Sequence, residues 1–130
     1  MSYEADIYAA LQASAPVTAM VGTRIYPDFA PATAVAPFVV YQTVSTDGTT
    51  THDGGMAVVL PLVQFTAWAT TRPQANSLSA KIRAALITGD EIPGDSSVFL
   101  TFSNETGSRD QETGLFGQIL DLRASCNPTT

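Results

Sequence analysis

Residues Gln64-Phe65-Thr66-Ala67-Trp68-Ala69 alternate without a break, and just beyond them Arg72-Pro73-Gln74-Ala75 opens a run of helical period. A strand turns successive side chains to opposite faces. Phe65, Ala67 and Ala69 therefore share one face, and Gln64, Thr66 and Trp68 the other, a polar face carrying one tryptophan. In the run that follows, Leu78, Ile82, Ala85 and Leu86 recur at spacings of four and three, with Pro73 near the first helical position and Gly89 as a C′ candidate after Thr88. A strand with one apolar face leading into a helix with one apolar stripe asks for a helix laid on a sheet.

The remaining elements can be placed around this junction. Tyr3 to Ala13 sets Tyr3, Ile7, Ala10 and Leu11 on one helical face, with Ser2 as N-cap and Glu4 and Asp6 in the first turn, where they complement the helix dipole. Pro16 ends that helix, and Val17 to Val21 adds a short turn before Gly22. Asp28 to Pro37 has two prolines and no usable period, so it reads as an extended surface loop. Phe38 to Val44 is β-branched and aromatic, a strand. Ser45 to Gly55, with Gly48, Gly54 and Gly55, is too long for a tight hairpin turn and reads as a protruding, mobile loop. Ala57 to Ala69 is the second strand, with a bend expected at Pro61, which cannot donate to a ladder. Asp90 to Asp95 is an acidic turn, and Val98 to Phe102 is the third strand. Leu115 to Cys126 is the fourth, with Phe116, Leu120, Leu122 and Ala124 on one face, Gln118 interrupting, and Asp121 and Arg123 on the other. The predicted order is αββαββ. It implies an α+β two-layer sandwich, a four-stranded, mainly antiparallel sheet with two helices on one face, in a single domain over residues 1–130. The second sheet face then needs a cover, either solvent or another chain.

Composition narrows the function. With 45% hydrophobic residues the chain is not disordered, yet only 14% are charged, against roughly 25% in an average soluble protein. So weakly charged an exterior suits a surface that faces other protein chains. Twelve acids against six bases leave a net charge of −6, and Arg24, Arg72, Lys81, Arg83, Arg109 and Arg123 are scattered along the chain. That argues against a grip on nucleic acid, which takes clustered bases, but an acidic wall would let DNA slide past. Cys126, the single cysteine, allows no intrachain disulfide and no cysteine-built zinc site. Acids at the N-terminus, where a signal peptide carries bases, and the lack of a long apolar run point to a soluble protein made in the cytoplasm, with no membrane partner.

No enzyme signature occurs: there is no Gly-x-Ser-x-Gly elbow, phosphate-binding glycine loop or His-Glu-x-x-His pair. His52, the one histidine, lies in the Ser45–Gly55 loop with no second His or Cys to complete a ligand set, and reads as an exposed loop residue. Asp90, Glu91 and Asp95, and Glu105, Asp110 and Glu112, flank strands in turns and lack calcium-loop spacing. Trp68 reads as a core or interface anchor. Glu105-Thr106-Gly107 recurs as Glu112-Thr113-Gly114, but the flanks differ, so this is shared turn chemistry and no repeat. No catalytic, metal-binding or cofactor-binding residue is expected, and no cofactor.

Several segments in this order are familiar. They are a short N-terminal helix, Val21-Gly22-Thr23-Arg24-Ile25-Tyr26-Pro27, Pro37-Phe38-Val39-Val40-Tyr41-Gln42, Gln64 to Ala69, Lys81-Ile82-Arg83-Ala84-Ala85-Leu86, and Asp110-Gln111-Glu112-Thr113-Gly114-Leu115-Phe116 leading to Leu120-Asp121-Leu122-Arg123. Together, over nearly the whole chain, they resemble the tail-completion, or tail terminator, family of long-tailed double-stranded DNA phages, the lambda-like head–tail joining components. Pro61, Gly117 and Gln118 depart from the family's pattern. The resemblance implies a structural virion protein at the head-proximal end of the tail, assembled in the host cytoplasm. It forms a hexameric ring that caps the tail tube, stops its polymerisation and meets the head-closure or neck protein, while genomic DNA passes through the lumen. The interface candidates are Asp28 and Phe29 in the first loop, Thr46, Asp47, Thr50, His52 and Asp53 in the second, and Gln64, Thr66 and Trp68 on the polar sheet face. The two loops would meet the tube or the neck, and the sheet face a neighbouring subunit or the channel. Two other readings stand beside this one: a different head–tail component, such as a head-closure or minor tail protein, and a small hydrolase or ligand-binding domain built around Asp90, Asp95 or Glu105.

Overall fold

The computed structural model describes residues 3–50, 56–94 and 96–126, with the backbone alone for residues 49, 50 and 56–58. Its elements are α1 (Tyr3–Ala13), α2 (Ala15–Val21), β1 (Ile25–Pro27), β2 (Phe38–Thr50), β3 (Met56–Ala69), α3 (Arg72–Leu86), β4 (Phe99–Arg109) and β5 (Phe116–Ser125). The strands form one five-stranded sheet in the order β1-β2-β3-β5-β4. β1 runs parallel to β2, and every other pairing is antiparallel. The four-stranded, two-helix αββαββ sandwich predicted from sequence is therefore wrong in count: the sheet is mixed and five-stranded, the helices are three, and the order is ααβββαββ.

Each discrepancy has a local cause. Pro16 does not merely stop α1; it sits in the first turn of α2, where a missing N–H costs nothing. Ile25-Tyr26-Pro27 is too short to show a period, and becomes strand only because β2 lies beside it. β2 runs on through the threonine-rich stretch read as loop, since threonine is well suited to extended backbone. Likewise β4 continues through Ser103 to Arg109, a polar run that the hairpin with β5 holds in place. As an edge strand with most residues exposed, it carries no apolar alternation to be read.

Two bulges and one proline set the register in the body of the sheet, and a third shift lies between Thr49 and Thr50 in β2. Val44 is the extra residue between the pairs Thr43↔Val63 and Ser45↔Leu62, and Ser103 is extra between Phe102↔Leu122 and Asn104↔Asp121. An inserted residue turns everything after it to the other face, so Glu105 is brought to the helical side. Pro61 pairs with Thr46 inside β3. The β3–β5 ladder ends at Leu62↔Arg123 and resumes only as a bridge at Val59↔Cys126. In the gap Arg123 Nη1 donates to the Leu60 carbonyl at 2.9 Å. Past that bridge β2 and β3 continue as a two-stranded arm paired through Thr49↔Val58 and Thr50↔Met56.

All three helices lie on one side. Val39, Val63, Phe65, Ala67, Leu120, Leu122 and Ala124 from the sheet are buried against Ile7, Leu11, Val17, Val21, Leu78, Ile82 and Leu86. The alternation read in Gln64–Ala69 holds: Phe65, Ala67 and Ala69 are fully buried. Thr71 caps α3, accepting the Gln74 N–H at 3.3 Å. Gly89, at φ 85°, lies beyond the true C-cap, Ile87. Asp6, read as a dipole-compensating acid, is buried and accepts the Ser96 backbone N–H at 3.0 Å, tying Ser96 to α1. Ser2, the expected N-cap, lies outside the described residues.

Candidate functional site

Among the described residues, no element packs over the sheet face away from the helices. Cross-strand partners share a face, so it can be read as rows. They are Phe38, Trp68 and Gly117, then Val40, Thr66 and Ile119, then Gln42, Gln64 and Asp121. Most of these side chains are half-buried by one another. Gln42 Nε2 donates to Gln64 Oε1 at 3.3 Å. Beside them Asp121 Oδ1 is buried and accepts no hydrogen bond, the only such side-chain atom among the described residues. A buried carboxylate oxygen without a donor is costly, and here it lies on a face with no cover.

Trp68 lies flat over Gly117, where a Cβ would come within 2.8 Å of Cζ3. This accounts for the glycine that departs from the family pattern. Gln118, the polar residue interrupting β5, faces the helices and accepts from Arg72 Nη1 at 3.1 Å. Arg72 also donates to the carbonyls of Gly117 at 2.7 Å and Ser108 at 2.6 Å, clamping β4 and β5 to the start of α3. Its guanidinium and that of Arg109 stand over the Phe116 ring at 5.3 and 5.1 Å.

At the Trp68 end, the 28–36 loop and the 110–115 turn rise on either side of a cleft of about 390 Å³. Its floor is Phe38, Val40 and Trp68, its walls include Phe29, Pro31 and Leu115, and its charged lining residues are Asp28 and Asp110. Asp28 adopts a left-handed φ of 65°, which aspartate tolerates. With its N–H held by the Tyr41 carbonyl at 2.8 Å, it swings Phe29 out to 77% exposure. Tyr41, beneath on the helical face, has its hydroxyl pKa raised by burial first, then by Glu4, Tyr8 and Asp28.

The ten interface candidates thus fall in three places. Asp28, Phe29 and Trp68 meet at the cleft, and Gln64 and Thr66 extend from it across the sheet. Thr46 and Asp47 are exposed near the base of the arm, where Asp47 Oδ2 lies 3.5 Å from Arg123 Nη1. Of Thr50 the structure describes only backbone pairing, and His52 and Asp53 lie outside the described residues.

Among the described residues, the acidic groups considered for metal chemistry do not converge. Glu105 is turned to the helices, 3.1 Å from Arg83 and accepting from Ser79 at 2.7 Å. Asp110 Oδ1 accepts the Glu112 N–H at 3.0 Å within its own turn. Asp95 is outside the described residues. Among those described, no three acids, histidines or cysteines come close enough to hold a metal, and no helix is long and apolar enough to cross a membrane. Sequence reading missed the Arg72 clamp, the unsatisfied Asp121 and the 110–115 wall, because each depends on contacts between segments far apart in the chain.

The comparisons with known proteins agree with this architecture. No curated protein matches the sequence. Among solved structures, a chain from the virion of a native gene transfer agent particle superposes with a TM-score of 0.74. The match covers 96% of this chain and 94% of that one at 22% identity, which shows a shared fold. The family model described as tail completion protein gp17 matches residues 5–126. The match takes in the cleft, the open sheet face and the helical layer alike, and on that evidence the chain belongs to the tail completion protein gp17 family, structural proteins of the phage virion tail.

Proposed function

We propose that this chain, acting as one unit over residues 1–130, forms a hexameric ring that caps the tail tube, ends its polymerisation and joins the tail to the head or neck. The observation that carries the reading is the open sheet face, with half-buried Trp68 and unsatisfied Asp121, in a member of a tail-completion family. A neighbouring subunit covering that face would bury Trp68 and supply the missing donor. The low charge density reduces the desolvation cost of such contacts. The gene transfer agent chain belongs to a virion particle, the setting the proposal requires. In this reading the segment from residue 45 to 56, with Thr46, Asp47, Thr50, His52 and Asp53, reaches the tube protein or the neck, and DNA crosses the lumen without being bound. The reading gives the chain no covalent chemistry and no cofactor.

The test is tube growth. Purified tail tube protein polymerised with this protein present is expected to give tubes carrying extra density at one end, with growth halted there. Tubes that lengthen as they do alone, with the protein bound along their sides or left in solution, would reject the capping role. Density at a free neck and none on the tube would favour a head-closure component instead.

A further inference from the structure

The helical side of the subunit carries a depression of its own. Between α2 and α3 lies a groove of about 380 Å³, walled mainly by Pro16, Ala80, Ala84 and Ala85, whose single charged lining residue is Lys81. Among the described residues Lys81 reaches no carboxylate; its Nζ lies 3.4 Å from Met20 Sδ. On the opposite side of the sheet stands Phe29, the most exposed large apolar side chain among the described residues, and next to it Asp28, which also joins no ion pair. One molecule thus presents an apolar knob beside an unpaired acid, and an apolar hole beside an unpaired base. They lie on opposite layers, so a subunit cannot fill its own groove. Two different complementary surfaces make a head-to-tail contact, which closes into a ring when the rotation between copies allows.

We infer that Phe29 of one subunit seats in the α2–α3 groove of the next, with Asp28 beside Lys81. The occupant is a second copy of this chain, and the charge match is what selects it. The contact lays the helical layer of one subunit over the open sheet side of its neighbour, and it assigns the 28–36 loop to the ring and not to the tube. The inference rests on the ring reading above and names its subunit contact.

The experiment is native mass spectrometry and sedimentation over a concentration series, on the wild type and on Phe29→Asp, Ala84→Arg, Asp28→Lys, Lys81→Glu and the pair Asp28→Lys with Lys81→Glu. All four substitutions are of exposed or half-exposed side chains, and circular dichroism melting identifies any variant that fails to fold. The wild type is expected to assemble. Each single variant is expected to weaken assembly roughly tenfold or more, the range for a truncated anchor residue, and the double charge reversal to recover much of it. An assembled wild type with Phe29→Asp and Ala84→Arg equally assembled overturns this contact and leaves the ring standing. Monomeric singles with no recovery in the double overturn the Asp28–Lys81 pairing. A wild type that stays monomeric throughout removes the ring and the contact together.

Discussion

Gly117 and Trp68 show how a single position can shape a surface. A Cβ on residue 117 would stand only 2.8 Å from Cζ3 of the indole, so the glycine lets Trp68 lie flat and floor the cleft. Gly117→Val should lift the ring and disturb both. The expected cost is about 1–3 kcal/mol, typical of overpacking, read as a lower urea midpoint, with a shift in tryptophan emission marking the displaced indole. Tyr41 offers a second residue-scale test. Burial, then Glu4, Tyr8 and Asp28, hold its hydroxyl above the usual value of about 10. The unfolded chain therefore loses that proton first. The stability Tyr41 contributes is complete below pH of about 10 and drains away as pH rises through its folded-state value. Denaturation midpoints should fall in that alkaline range, and less steeply for Tyr41→Phe; identical slopes would show that the shift is not felt in folding.

At the scale of elements, what could be read from sequence depended on burial. α3 was legible because Leu78, Ile82 and Leu86 all turn to the core, and β3 because one face of Phe65, Ala67 and Ala69 is wholly covered. β1 and the distal halves of β2 and β4 were not legible. They are edge or arm segments whose extended form comes from a paired neighbour and not from their own pattern. The cleft shared this fate in part: Asp28, Phe29 and Trp68 stood out as candidates, while the 110–115 wall and Asp121 owe their places to the β4–β5 hairpin. The arm offers the element-scale test. Gly48 pairs with Val59, the residue bridged to Cys126, so the sheet body ends there. Replacing residues 49–58 with Asn-Gly should close the hairpin at that pair with a two-residue turn. The melting temperature should stay within a few degrees, about what a change of up to 1 kcal/mol produces. Joining of heads to tails should be lost; full joining activity in the truncated protein would remove the arm from the tube or neck contact.

The whole molecule is a two-layer α+β fold with one open sheet face. Its helical layer covers one sheet face, and among the described residues no element packs over the other beyond the loop and turn that wall the cleft. Acids outnumber bases twelve to six, and two of the bases pair with acids: Arg83 with Glu105, and Arg123 with Asp47. What remains is a net charge of −6, which repeated around a ring would surround passing DNA with repulsion. These properties suit a part that is completed by its neighbours. The most direct measurement is electron cryomicroscopy of assembled particles, with this chain fitted to the density. The account expects one ring at the head-proximal end of the tail tube, with the open sheet face of each subunit covered by the helical layer of the next. Density placing the chain at the tail tip or along the tube, or a ring that leaves the Trp68 face bare, would contradict it.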